Sequence, residues 1–221
     1  MPKGPQEPFP KRALRGLKRL FNPPRTELEF MAAVVEAERE GRTPLAARLC
    51  ERGLERFPND YYLLMKRLVQ LREQGNRPAV EGLLARAEEL CPPTAATWSS
   101  VGEEYAYLGD MDRAIVFFRR ALERTPGSAI IREKLAMALV SQHKMDEGIQ
   151  ELSDALGREP ENTDRRDLLL QVMLQAEDFQ GIMNLVGGLP ESDLTWESLM
   201  CLSMARARLE GADPFVEGVT E

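Results

Sequence analysis

Four prolines, Pro58, Pro92, Pro126 and Pro160, stand 34 residues apart in this 221-residue chain. A fixed period of that length restricts the fold to a stack of one small unit. Such a unit cannot bury its apolar face alone and must pack on its neighbours. In blocks that begin at Glu27, Tyr61, Ala95, Ala129 and Thr163, other residue types fall into columns. Gly41, Gly75 and Gly109 share one column with His143. Ala46, Val80, Ala114 and Gly148 share a second, and Gly53, Ala87, Ala121 and Ala155 a third. Cys50, Leu84, Phe118 and Leu152 form a bulky fourth. Small residues at a fixed depth let two helix backbones approach, and bulky ones fill the space beside them. A proline near the end of a block suits the end of its second helix, which it cannot continue.

The block from Ala95 carries Trp98, Val101, Gly102, Tyr105, Ala114, Phe118, Ala121 and Pro126. In these residues the chain resembles the tetratricopeptide repeat family. The resemblance implies an all-α fold, a right-handed superhelical α-solenoid of helix-turn-helix hairpins. Five repeats are expected over residues 27–190: 27–60, 61–94, 95–128, 129–162 and a degenerate 163–190 whose proline, Pro190, arrives four residues early. Residues 1–26 form a basic, proline-flanked segment, and residues 191–221 a capping helix with an acidic tail. The cap is read from Trp196, Leu199 and Met200, which recur at helical spacing.

The formal net charge of −7 argues against a chain that binds nucleic acid over its whole body, because phosphates demand an excess of Lys and Arg. Residues 1–26 hold seven basic side chains against Glu7 alone, so one end is basic and the body acidic. Cys50, Cys91 and Cys201 lie far apart with no CxxC pair, which suggests neither a disulfide framework nor a zinc site and points to a reducing compartment. No run of apolar residues is long enough to span a bilayer, and no secretory signal is read at the N-terminus. A cytoplasmic location is expected, with or without a membrane surface. Organelle import is the weaker reading, since the Arg-rich leader has no Ser.

Within that leader, Leu14, Leu17, Leu20 and Phe21 fall in one sector of about 120°. Lys11, Arg12, Arg15, Lys18 and Arg19 occupy the opposite one. A helix this short is marginal alone in water, below the ~12–15 residues usually needed, so it is expected to order against something. Its own acidic repeats, a partner protein or second copy, and an anionic membrane surface are all open. Nucleic acid is disfavoured, because no aromatics are interleaved for stacking. On a membrane such a helix lies on the surface and does not cross it.

No catalytic residue, metal site or cofactor is expected. His143, the sole histidine, falls in a turn column, no phosphate-cradling or nucleophile-elbow motif occurs, and Glu103 and Glu104 point different ways on one helix. The resemblance implies that first helices line a concave groove. The inward positions would be Leu28, Met31 and Val35, then Tyr62, Met65, Val69 and Arg72. Ala96, Ser99, Glu103 and Tyr107 follow, and after them Ile130, Glu133, Met137 and Val140. The first half is apolar, which suits a helical or extended segment of another protein. Repeats that grip a chaperone's terminal carboxylate present Lys, Asn and Arg where this chain has Met31, Val35, Met65 and Val69, so that role is not expected. The expected function is a non-catalytic scaffold or assembly adaptor. The alternative is a peripheral membrane scaffold anchored by the N-terminal helix.

Overall fold

The computed structural model describes residues 24–211, so the amphipathic segment 11–21 and the acidic tail lie outside the described residues. Within them, Thr26, Asp60, Thr94, Ser128 and Asn162 each accept a hydrogen bond from the N–H three residues on. Each such cap is worth ~1 kcal/mol. They start α1 (Glu27–Arg39), α3 (Tyr61–Glu73), α5 (Ala95–Tyr107), α7 (Ala129–Ser141) and α9 (Thr163–Gln175). The returning helices are α2 (Thr43–Arg56), α4 (Arg77–Glu89), α6 (Met111–Arg124), α8 (Met145–Leu156) and the shorter α10 (Phe179–Val186). A 3-10 turn at Glu191–Asp193 leads into α11 (Trp196–Glu210), and no strand occurs among the described residues.

The first helices also end alike. Gly41, Gly75, Gly109, His143 and Glu177 have φ of 70°, 69°, 78°, 60° and 58°. The next N–H reaches back to the helix, as from Arg42 to the Ala37 carbonyl (2.8 Å) and from Asp178 to that of Met173 (2.9 Å). This closes the helix and reverses the chain. Glycine adopts the left-handed region without steric cost, whereas His and Glu do not. His143→Gly and Glu177→Gly should each raise stability by ~0.5–1 kcal/mol, after the entropy that glycine loses is subtracted. Urea midpoints measure this. An unchanged or lower midpoint would mean that the two side chains hold their turns in some other way.

The described residues divide into two compact units, one up to Leu90 and one from Cys91. In the first, α1 pairs with α2 and α3 with α4, and α2 packs on α3. Phe30, Val34, Ala37, Ala46, Cys50 and Leu63 make the core that joins α1, α2 and α3. In the second, the hairpins α5–α6, α7–α8 and α9–α10 stack through α6 on α7 and α8 on α9, and α11 packs on α9 and α10. Leu152, Leu169, Leu170, Ile182, Cys201 and Leu202 belong to its core. All three interior columns are buried, including every small residue. Between α5 and α6, a β-carbon added at Gly102 would lie 2.8 Å from Phe118 Cε1.

Candidate partner-binding faces

The first helices of each unit present a panel of exposed apolar side chains. In the first unit, Leu28 and Val35 on α1 and Tyr62 on α3 are 79%, 48% and 54% exposed. Met31, Met65, Val69 and Arg72 are half-buried, and Met31 packs against the unit's core. Tyr61 braces Tyr62 edge-on, with ring centroids 5.3 Å apart. Glu38 ties the two helices by accepting from Lys66 Nζ (2.7 Å) and Gln70 Nε2 (3.3 Å). Gln70 also donates to Cys50 Sγ on α2 (3.5 Å), so one side chain links three helices. Burial pushes the Cys50 thiol up to about 11. It therefore stays protonated and unreactive at neutral pH.

Among the first helices of the second unit's hairpins, Tyr107 on α5 and Ile130 and Met137 on α7 are the exposed large apolar groups. A cleft of about 260 Å³ lies between the two helices, with Ala106 and Met137 on its walls. The Glu103–Lys134 ion pair (2.5 Å) crosses it. Ser99, expected to face the groove, is buried instead, and its hydroxyl donates to Glu103 Oε1 (3.3 Å). Glu103 is thus a strut between α5 and α7. Glu133 stands 3.4 Å from Arg165 on α9, which also pairs with Glu159 at 2.6 Å. The bond from Arg165, and then that from Asn162, hold the Glu159 carboxyl below its ordinary 4.5.

Sequence reasoning placed Glu103 on the groove but missed the bases that join these helices. Lys66 lies 28 residues from Glu38 and Lys134 lies 31 from Glu103, so no shared column marks them. An acid on the inward face of one first helix and a base on that of the next is the signal that would have found them. Among the described residues, no group of three His, Cys, Asp or Glu side chains is placed to hold a metal ion. No described helix is long and apolar enough to cross a membrane.

Residues 106–172 match the family model for the tetratricopeptide repeat. No curated protein is similar enough in sequence to count as a relative. Among solved structures, MamA from residue 41 to its end, from Desulfovibrio magneticus RS-1, is similar with a TM-score of 0.63 at 13% identity, over 85% of this chain and 97% of that one. YrrB, described as a TPR protein with an unusual peptide-binding site, is similar with a TM-score of 0.61 at 11% identity, over 86% and 95% of the two chains. A chain of the Naa15/Naa10 complex bound to HypK-THB is similar with a TM-score of 0.59 at 17% identity, over 83% of this chain and 29% of that one. At these identities the likeness concerns the fold.

Proposed function

From the premise that this chain is a tetratricopeptide repeat protein, we propose that it is a non-catalytic scaffold that holds a helical or extended segment of another protein against its first helices. The observation that carries this reading is the apolar panel of the first unit. Leu28, Val35 and Tyr62 face solvent on α1 and α3 while the core beneath them is complete without them. Large apolar side chains left in water on one face are costly to keep unless something covers them, and Tyr and Met are suited to central anchor positions. Met65 and Val69, half-buried along the same helix as Tyr62, extend the surface, with Arg72 beyond them. In the second unit, Tyr107 and Glu103 would take part from α5, where the Glu103–Lys134 strut fixes the wall of the cleft.

The test is a comparison of wild type with Leu28→Ser/Val35→Ser/Tyr62→Ser, each immobilised and exposed to the same cell lysate. Proteins held by the wild type are expected to bind the variant at least about tenfold more weakly, which is ~1.4 kcal/mol. Helical circular dichroism should stay unchanged, because the three positions are exposed. If the variant retains the same proteins at the same strength, the panel is not the binding face. If helicity is lost along with binding, the residues belong to the core and the reading fails.

A further inference from the structure

A cavity of about 580 Å³ opens at one end of the first hairpin, where the start of α1 meets the end of α2. Pro24, Arg25, Phe30, Arg52, Glu55 and Arg56 line it, all of them within the first unit. The close approach of the two helices there depends on Gly53, where an added β-carbon would stand 3.3 Å from the Phe30 ring. Arg52 and Arg56 lie four residues apart on α2 and so share one face of it. Phe57 steadies Arg56, whose guanidinium carbon sits 5.7 Å from the ring centroid. The same ring meets Phe30 edge-on.

Three guanidiniums gathered round one cavity repel one another, and carboxylate partners are the usual relief. Among the described residues none of the three forms a salt bridge. Glu29 is committed elsewhere. Its carboxylate accepts the N–H of Arg25 (2.6 Å) and that of Thr26 (3.3 Å) to close the cap of α1. Those bonds, and after them the charges of Arg25 and Arg56, hold it below its ordinary 4.5. Glu55 is then the one carboxylate on the lining, which carries a net charge of +2.

We propose that this cavity binds a phosphomonoester on an apolar carrier, with the phosphate between Arg25, Arg52 and Arg56 and the carrier against Pro24 and the edge of Phe30. A phosphomonoester carries a charge of about −1.5 to −2 at pH 7, which matches the lining, whereas a carboxylate brings only one charge. Guanidinium forks suit it further, because they bind phosphate oxygens in pairs. The volume falls among those of small-molecule sites, ~300–1,000 Å³, and leaves room for a ring beside the phosphate. A free small molecule and a phosphorylated side chain of another protein both offer this chemistry.

The test follows amide shifts of the full-length chain by NMR during titration with phenyl phosphate. Phenyl phosphate is expected to bind about tenfold more tightly than inorganic phosphate, which lacks the carrier, and than benzoate, which lacks the second charge. The shifts should centre on residues 24–30 and 52–57. Arg52→Gln, at an exposed position with no salt bridge to lose, should weaken binding roughly threefold, and R52Q/R56Q at least about tenfold, with melting temperatures unchanged. A capped phosphotyrosine peptide that binds as tightly as phenyl phosphate assigns the ligand to another protein, and one that the cavity rejects assigns it to a free small molecule. Equal affinity for phenyl phosphate, inorganic phosphate and benzoate would overturn the proposal. So would phenyl phosphate binding that R52Q/R56Q leaves untouched.

Discussion

Phe118→Ala is expected to lower the unfolding free energy by about 3–5 kcal/mol, the cost of removing an aromatic ring from a core that can only partly collapse around the void. Phe118 is 2% exposed, and its ring edge fills the space that Gly102 leaves empty, with Cε1 2.8 Å from where a β-carbon would stand. The two residues are therefore one packing device, and a mutant cycle exposes it. Gly102→Ala alone gains up to ~1 kcal/mol of helix propensity. It also drives a methyl into a buried ring, and overpacking of that sort costs typically ~1–3 kcal/mol, so the net effect should be destabilising. In a Phe118→Leu background the ring edge is gone, and Gly102→Ala should become neutral or stabilising. Urea unfolding of the four proteins measures the sign. If Gly102→Ala destabilises equally in both backgrounds, the contact is not what sets the approach of α5 and α6.

Leu170→Ala should cost about 2–5 kcal/mol and depress the melting temperature by roughly 10 °C in a chain of this length. The helix that carries it, α9, packs on α8, α10 and α11, and Leu170 itself is fully buried. No surface is free into which its neighbours can relax, so the void stays. Leu170→Met, which nearly conserves volume, should cost less than ~1.5 kcal/mol. The pair separates packing from chance sensitivity of the site. A loss under ~1 kcal/mol for the alanine variant would mean that α9 is not enclosed as described.

Features that repeat with the backbone were legible in the sequence. The glycine column reads directly as the left-handed turn after each first helix, because glycine alone reaches positive φ freely, and the small columns read as close helix contacts. His143 was assigned to that turn by column alone, and its φ of 60° agrees. Glu177 has the same φ of 58° but was not recognised, since a carboxylate carries no turn signal of its own. The capping residues Thr26, Asp60, Thr94, Ser128 and Asn162 also keep the period, yet they differ in type and share only a side-chain oxygen. Of the candidate site, the exposed apolar positions Leu28, Val35, Tyr62 and Tyr107 could be located from helical position. The struts could not. Long side chains such as Lys66, Lys134 and Arg165 reach across to whichever neighbouring acid is near, and their partners lie at no constant separation.

The bonds of Gln70 have a bearing on how the chain leaves the ribosome. That side chain, together with Leu63, completes a core whose other members lie on α1 and α2. A nascent hairpin that ends at Arg56 must therefore wait for the seventeen further residues to Glu73. At ~5–20 residues per second that wait is about 1–3 s. During it, Phe30 and Val34 have no roof and Glu38 lacks both of its donors. The first hairpin is thus fully translated for seconds before it can be fully folded, and that interval is when a holding chaperone would find it.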